Sequence, residues 1–176
     1  MNSSLASRVA DALRTVPDFP KPGIQFKDIT PLLANPSLMQ EVVAALCAPF
    51  ANQAVSHVVG IESRGFLFGV PAAMLMQVPF VPARKPGKLP RATVREVFTL
   101  EYGADALEVH ADALDASSRV LIVDDILATG GTLAATCRIV ERMNATVAGI
   151  SVLGEIGGLG DPQLLAGRNV SALLSF

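Results

Sequence analysis

The chain has 176 residues, a net charge of −2, 51% hydrophobic residues and 17% charged residues. One compact domain accounts for this length, and the hydrophobic content excludes a disordered chain, which would lack the apolar surface needed to fold. So small a net charge gives no overall field for nucleic acid or an anionic membrane, and neither is expected as a partner.

The first fifty residues are predicted to form two helices separated by an irregular segment. Apolar residues recur at helical spacing from Leu5 to Val16, with Ser3 or Ser4 as the N-cap. Residues 16–33 are rich in proline and glycine, which predicts irregular backbone. The second helix is predicted from Ser37 to about Ala48.

Strands and helices alternate in the middle of the chain. The predicted strands cover residues 57–61, 78–83, 119–125 and 146–153, and the predicted helices cover residues 65–77 and 132–144. This alternation predicts a parallel sheet with helices on both faces. Prolines in 78–83 favour the edge of that sheet. The uncharged run 65–83 is interrupted by prolines, so a buried helix and strand explain it better than a membrane span.

The basic residues cluster in one segment. Five of the fourteen lie in 84–95, a stretch without an acidic residue: Arg84, Lys85, Lys88, Arg91 and Arg95. By itself this run favours a solvated, mobile hairpin, since most charge runs lie on the surface. Beside an anion-binding site, the same residues would serve as ligands.

The motif VLIVDDILATGGT (120–132) is the most informative segment. It joins a buried strand to the adjacent carboxylates of Asp124 and Asp125, and then to a glycine-rich turn that opens a helix. In a parallel sheet, ligands bind at the carboxyl ends of the strands. Backbone N–H groups of such a turn and the helix N-terminus bind anions, which predicts a phosphate site at 128–132. The aspartates can accept hydrogen bonds from sugar hydroxyls. A solvated turn is the structural alternative.

The cysteines and histidines do not suggest a second site. Cys47 and Cys137 lie ninety residues apart, outside any metal or redox spacing, and are expected to be buried thiols in a reducing compartment. His57 and His110 have no partner at catalytic spacing and are expected to be structural. The N-terminus lacks the pattern of a signal peptide, so a cytoplasmic location is expected.

The 120–132 motif resembles the phosphoribosyl-pyrophosphate (PRPP) signature of the type I phosphoribosyltransferases. The resemblance implies that Asp124 and Asp125 hold the ribose hydroxyls and that the following loop wraps the 5′-phosphate. That loop consists of Ala128, Thr129, Gly130, Gly131 and Thr132. The implied fold is a single α/β domain over 1–176. Its central, mostly parallel twisted sheet is flanked by helices, with a small N-terminal hood (about 1–35) and a flexible loop (84–103).

Three more segments resemble the adenine-specific branch of this family. They are VPDFPKPGIQFKDITPLL (16–33), similar to the element that covers the base; GIESRGFLFG (60–69), similar to the pyrophosphate loop; and RKPGKLP with LEYG (84–90 and 100–103), similar to the flexible loop. The resemblance implies a purine-salvage reaction in which adenine and PRPP give AMP and pyrophosphate. A transferase for another purine base and a non-catalytic PRPP-sensing regulator remain as alternatives.

The same resemblance assigns roles to further residues. The pyrophosphate ligands are Ser63, Arg64, Arg84, Lys85 and Lys88. Many bacterial members have alanine at the position of Ser63, which matters little if the backbone makes the contact. Glu101 would accept the purine proton, with loop ordering as its alternative role, and Tyr102 would contact the sugar or a phosphate.

Base recognition, the metal and the oligomeric state also follow from the resemblance. Phe26 and Leu127 would cover the two faces of adenine, and the main chain of Gln25 and Lys27 would contact its edge; Phe26 as a plain core residue is the alternative. Mg²⁺ is implied, held mainly by pyrophosphate oxygens and water, and no separate protein metal site is expected. The family is dimeric, and Arg84 is expected to act across the interface.

Overall fold

The computed structural model describes residues 4–100 and 103–176, without the side chains of residues 99, 100 and 104. The chain divides into two compact units, residues 1–45 and 46–176. None of the helices among the described residues is long and apolar enough to cross a membrane.

The N-terminal unit begins with helix α1 (Leu5–Ala12), whose start confirms the predicted cap, because Ser4 Oγ accepts a hydrogen bond from the Ser7 N–H at 3.2 Å. The helix does not reach Val16 as its apolar spacing predicts. Instead, strand β1 (Arg14–Pro17) pairs antiparallel with strand β2 (Gln25–Asp28).

The prediction that residues 16–33 are irregular is therefore wrong. β1 and β2 are followed by a short helix, α2 (Thr30–Leu33), and then by α3 (Pro36–Cys47). The prolines sit where a missing N–H costs little: Pro17 ends a strand of a two-stranded ribbon, and Pro31 lies in the first turn of α2. Their presence predicts where elements end, and does not exclude the elements themselves.

The C-terminal unit contains a five-stranded parallel sheet, which confirms the predicted α/β class. Its strand order is β4-β3-β7-β8-β9. The strands are β3 (His57–Ile61), β4 (Phe80–Ala83), β7 (Arg119–Leu127), β8 (Thr146–Glu155) and β9 (Val170–Ser175), and the long helices are α4 (Gly65–Met76) and α5 (Gly131–Arg142). Two short 3-10 helices cover Ala48–Phe50 and Pro162–Leu165.

Three of these strands differ in their bounds from the sequence prediction, since β4 begins at Phe80 rather than residue 78, β7 ends at Leu127 rather than residue 125, and β8 ends at Glu155 rather than residue 153. β4 lies at the sheet edge, as its prolines predict. β7 continues to Leu127, past the predicted end at residue 125, because Ile126 and Leu127 pair with Gly154 and Glu155 of β8. β9 was not predicted: its residues are half-buried for the most part and mix small polar with apolar side chains, so it lacks the apolar run that marks β3 and β7.

The basic segment leads into an antiparallel hairpin of β5 (Thr93–Leu100) and β6 (Gly103–His110). β6 was not predicted. Arg84 forms an isolated bridge with Glu108, so the start of the segment is also tied to β6. On the other side, Arg138 of α5 donates to Glu96 of β5, Nε to Oε1 at 2.6 Å.

The core of the C-terminal unit lies around the central strands β3, β7 and β8 and includes residues of α5. Cys47 and Cys137 are free and buried, as predicted. Burial raises the pKa of the Cys137 thiol to about 11, so this sulfur behaves as a small apolar group rather than as a nucleophile.

Candidate active site

A cavity of about 250 Å³, which we call the central cavity, opens at the carboxyl ends of β3 and β7. Because the strands are parallel and adjacent, the segments that follow them meet at one edge of the sheet. The lining consists of Ile61, Glu62, Ser63, Arg64, Lys85, Phe98, Asp105, Leu107, Asp124, Asp125, Ile126 and Thr132. Six residues predicted for PRPP binding are thus brought together: Ser63, Arg64, Lys85, Asp124, Asp125 and Thr132.

Of the two adjacent aspartates, Asp125 is buried and Asp124 is half-buried. Asp125 is 3% exposed, and its Oδ2 lies 2.8 Å from Arg64 Nε as an ion pair. That contact lacks hydrogen-bond geometry, so this buried oxygen accepts no hydrogen bond from any described residue. A buried acceptor without a donor is rare in folded proteins, and a ligand hydroxyl would satisfy it.

Burial raises the pKa of Asp124 well above its ordinary value of 3.8, and the neighbouring charge of Asp125 raises it further. The Asp125 backbone N–H donates to Asp124 Oδ1 at 2.9 Å and acts in the opposite direction. The start of α4 approaches the same carboxylate: a Cβ at Gly65 would lie 2.9 Å from Asp124 Oδ1 and 2.8 Å from the Val123 carbonyl oxygen. Only glycine permits this approach, which brings a helix N-terminus to a carboxylate.

A second, smaller cavity of about 80 Å³ lies beside the first, and we call it the phosphate cradle. It is lined by Asp124, Ile126, Leu127, Ala128, Thr129, Gly130, Thr132 and Leu133. Its volume is a few times the roughly 30 Å³ of a water molecule, the scale of one phosphate group. α5 begins directly after it, at Gly131, and Gly130 has a φ of +81°. The turn predicted for phosphate therefore forms a small anion-sized recess at a helix N-terminus.

The cradle is supported from outside by the segment after β8. A Cβ at Gly160 would lie 2.3 Å from the Thr129 carbonyl oxygen, and Gly160 has a φ of +83°. Both the close approach and the left-handed backbone require glycine here. The support of the cradle was not foreseen from the sequence.

The basic residues are held by carboxylates. Arg84 makes a two-point contact with Glu62, Nε to Oε2 at 3.2 Å and Nη2 to Oε1 at 2.9 Å, which lowers the pKa of Glu62. Lys85 Nζ donates to Asp105 Oδ2 at 3.0 Å. Lys88 is exposed and its carbonyl accepts from Arg84 Nη1. Of these three cations, Lys85 lines the central cavity, whereas Arg84 and Lys88 do not.

Six residues that line the central cavity were not identified as site residues from the sequence: Ile61, Glu62, Phe98, Asp105, Leu107 and Ile126. Glu62 directly follows β3, and a polar residue at the end of a parallel strand indicates a place in the site from the sequence alone. Ile126 lies two residues after Asp124 in β7 and lines both cavities with it, as strand alternation predicts. Asp105 comes from β6, and nothing local to it indicates this position.

The residues predicted for the base lie in different parts of the chain. Gln25, Phe26 and Lys27 form most of β2 in the N-terminal unit, where the half-buried Phe26 ring meets Phe19 edge-on, with 5.0 Å between ring centroids. Leu127 is 8% exposed and belongs to the core of the C-terminal unit. Glu101 and Tyr102 lie outside the described residues.

The remaining chemistry-bearing side chains do not add a metal centre. Within residues 4–100 and 103–176, no group of three or more His, Cys, Asp or Glu side chains is placed to hold a metal ion. His57 Nδ1 lies 2.9 Å from Ser56 Oγ, and His110 Nδ1 lies 3.5 Å from Arg91 Nη2. Neither histidine lines the central cavity or the phosphate cradle.

Comparison with known proteins agrees with this geometry. Residues 29–157 match the model of the phosphoribosyl transferase domain family. The adenine phosphoribosyltransferase of Myxococcus xanthus is 50% identical over 99% of this chain and 95% of its own; that of an Anaeromyxobacter species is 51% identical over 99% and 98%.

Among solved structures, too, the chain is similar to adenine phosphoribosyltransferases. The adenine phosphoribosyltransferase of Rhodothermus marinus superposes with a TM-score of 0.93 at 49% identity, covering 99% of this chain and all of its own. The Saccharomyces cerevisiae enzyme, complexed with an imino-altritol bisphosphate and adenine, gives a TM-score of 0.91 at 39% identity, covering 97% and 98%.

The raised pKa of Asp124 gives a test of the site's electrostatics. The folded chain holds this proton more tightly than the unfolded chain, so the contribution of Asp124 to wild-type stability falls as pH rises above about 4. Asp124→Asn keeps the Oδ1 acceptor and removes the charge. We therefore expect a higher melting temperature than wild type, by a margin that is small near pH 4 and grows toward pH 8.

Differential scanning fluorimetry across that pH range measures the margin. Asp11→Asn, at an exposed position of α1, is the matched control and should show no growing margin. A margin for Asp124→Asn that stays constant or shrinks as pH rises would contradict the electrostatic assignment.

Proposed function

The chain belongs to the phosphoribosyl transferase domain family, and we propose that it transfers the 5-phosphoribosyl group of PRPP to adenine, giving AMP and pyrophosphate. This is a glycosyl transfer of purine salvage. The observation that carries it is the anion-sized phosphate cradle beside the buried Oδ2 of Asp125, which is ion-paired with Arg64 but accepts no hydrogen bond from the described residues. The relatives named adenine phosphoribosyltransferase support the choice of base.

The ribose 5-phosphate end of PRPP fits the end of β7. Backbone N–H groups and hydroxyls of residues 128–132 would donate to the 5′-phosphate. Asp124 and Asp125 would accept hydrogen bonds from the 2′- and 3′-hydroxyls. When the bond from ribose C1 to pyrophosphate breaks, the sugar becomes cation-like, and the nearby carboxylates stabilise that charge because they are fixed in a partly dry cavity.

The leaving pyrophosphate would occupy the central cavity, bound by Arg64, Lys85 and the backbone at Ser63. Arg64 offers a planar fork suited to two phosphate oxygens. Mg²⁺, when bound, neutralises pyrophosphate charge. The donor set fits a magnesium ion held mainly by substrate and water, since the cavity offers adjacent carboxylates but no described group of three metal-binding side chains.

Adenine would be recognised by Gln25, Phe26, Lys27 and Leu127, in the roles that the family resemblance assigns. N9 of free adenine must lose a proton as it bonds to ribose C1, and Glu101 would accept that proton. Tyr102 would contact the sugar or a phosphate. Backbone donors and acceptors at the base edge would reject hypoxanthine, because its 6-oxo group would meet an acceptor where adenine presents a donor.

A homodimer is supported by the exposed apolar face of α4. Leu67, Val70, Met74 and Leu75 are 39–75% exposed, and α4 carries no charged residue. A second copy of the chain would cover such a face. Arg84 does not line the central cavity of its own chain, which supports a role across the interface, where it would reach the partner's pyrophosphate. The two buried thiols suit a cytoplasmic location.

The base specificity is tested by direct assay. Purified protein is mixed with PRPP, Mg²⁺ and radiolabelled adenine, hypoxanthine or guanine, and nucleotide formation is followed. We expect AMP from adenine and little product from the 6-oxopurines. Product from a 6-oxopurine only would assign a different base, and PRPP binding without turnover of any base would indicate a regulator.

The role of Glu101 is tested by Glu101→Gln. Loss of the carboxylate removes the proton acceptor, so turnover should fall by about two orders of magnitude or more, within the range of general base catalysis, while the melting temperature stays near that of wild type. Glu141→Gln, on the exposed side of α5 and paired with Arg168, is the control and should keep full turnover. Near-wild-type turnover of Glu101→Gln would remove it from proton transfer.

The dimer is tested by Met74→Glu, which places a charge on the α4 face. We expect a monomer in light scattering, because burying an unpaired carboxylate at the interface is costly. Activity should be lost with the dimer if the partner's Arg84 is needed. Leu164→Glu, which puts the same charge at another exposed apolar residue outside α4, should stay dimeric. A Met74→Glu variant that stays dimeric would place the interface elsewhere.

A further inference from the structure

We infer that Asp105 is a positioning residue that competes with pyrophosphate for Lys85 and so speeds release of that product. The inference rests on the proposed function, because it concerns the leaving group of that reaction. In the free protein the Asp105 carboxylate holds the Lys85 ammonium. When pyrophosphate is bound, Lys85 turns to it, and when pyrophosphate leaves, Asp105 takes Lys85 back.

The geometry places both partners where this exchange can occur. Lys85 Nζ lies 3.0 Å from Asp105 Oδ2, and both residues line the central cavity together with Arg64. The two come from different parts of the fold, since Lys85 follows β4 and Asp105 lies in β6. The pair therefore joins the basic segment to the hairpin within the lining of the cavity.

Asp105 is held in place independently of Lys85. Its Oδ1 accepts a hydrogen bond from the Ala106 backbone N–H at 2.8 Å. Both Lys85 and this backbone N–H lower the pKa of Asp105, so the carboxylate is charged at neutral pH. A lysine that moves to a ligand leaves behind a carboxylate that keeps its position and can receive the lysine again.

The strength of the pair suits exchange rather than permanent anchoring. The Lys85 side chain is 58% exposed and that of Asp105 is 27% exposed, and such partly solvated pairs contribute little stability. Pyrophosphate carries more charge than one carboxylate and attracts the ammonium more strongly. Lys85 is thus easily captured by the ligand, while Asp105 lowers the cost of losing that ligand.

Glu62 holds Arg84 in a similar way, but it is a poorer test position. Its Oε2 also accepts the Lys85 backbone N–H at 2.9 Å, so a change at Glu62 would disturb the path of the chain. Asp105 touches Lys85 through the side-chain ammonium, and its other hydrogen bond is to the residue that follows it.

The experiment compares Asp105→Asn with wild type. The Kd of pyrophosphate in the presence of Mg²⁺ is measured by calorimetry, and its dissociation rate by stopped flow. We expect the variant to bind pyrophosphate about two- to fivefold more tightly, the range that a partly exposed ion pair allows, with a correspondingly slower dissociation. Asp105→Glu should stay close to wild type.

Two further variants show whether the effect passes through Lys85. In the Lys85→Ala background, Asp105→Asn should no longer change the Kd, as expected for two residues that act as a pair. Asp112→Asn breaks the Arg91–Asp112 ion pair, which joins the same basic segment to the residues after β6 but does not line the cavity. This matched control should leave the Kd and the dissociation rate unchanged.

The outcomes separate the inference from the proposed function. Weaker or unchanged pyrophosphate binding in Asp105→Asn, or an undiminished effect in the Lys85→Ala background, overturns the role of Asp105. Failure of the wild type to bind pyrophosphate overturns the proposed function instead. Should Asp105→Asn not fold, Asp105→Ser removes the same charge with a smaller side chain and carries the same expectations.

Discussion

The site depends on keeping two adjacent carboxylates buried at the end of β7. Asp125 is buried and Asp124 is half-buried, and the charge of Asp125 raises the cost of charging Asp124. The surroundings offset part of this cost through Arg64 at 2.8 Å from Asp125 and through the N-terminus of α4 at Gly65. The loop after β3 is therefore tied to the end of β7, which joins the regions proposed for pyrophosphate and ribose.

The charges of the free site are arranged in pairs that a ligand can replace. Arg64 faces Asp125, Lys85 faces Asp105, and Arg84 faces Glu62. A chain with 17% charged residues thus places several of them around one small cavity. Paired charges cost less to hold in a partly dry cavity than isolated ones, and a polyanion that enters gains cations already close to their final positions.

Sequence reasoning found what is local and missed what depends on distant partners. The β7 motif, the turn at 128–132 and Arg64 could be predicted because a buried strand, a glycine-rich turn and a strand end are each visible within a few residues. The sequence does not indicate β1 and β2, because prolines disfavour strands, although Pro17 lies at a strand end. Asp105 enters the site only through the fold of β6 against Lys85.

The arrangement of the two cavities suits a ligand that carries one anionic group on each side of a diol. The phosphate cradle and the central cavity share Asp124, Ile126 and Thr132 as lining residues. A molecule with one phosphate could fill the cradle, but it would leave the cations of the central cavity with their protein partners. As proposed above, PRPP would satisfy both regions and place its hydroxyls between them, beside Asp125 Oδ2, which accepts no hydrogen bond from the described residues. On that proposal, selectivity for PRPP over simpler sugar phosphates would follow from the spacing of the two anion sites, because binding energy from both is available only to a ligand that spans them.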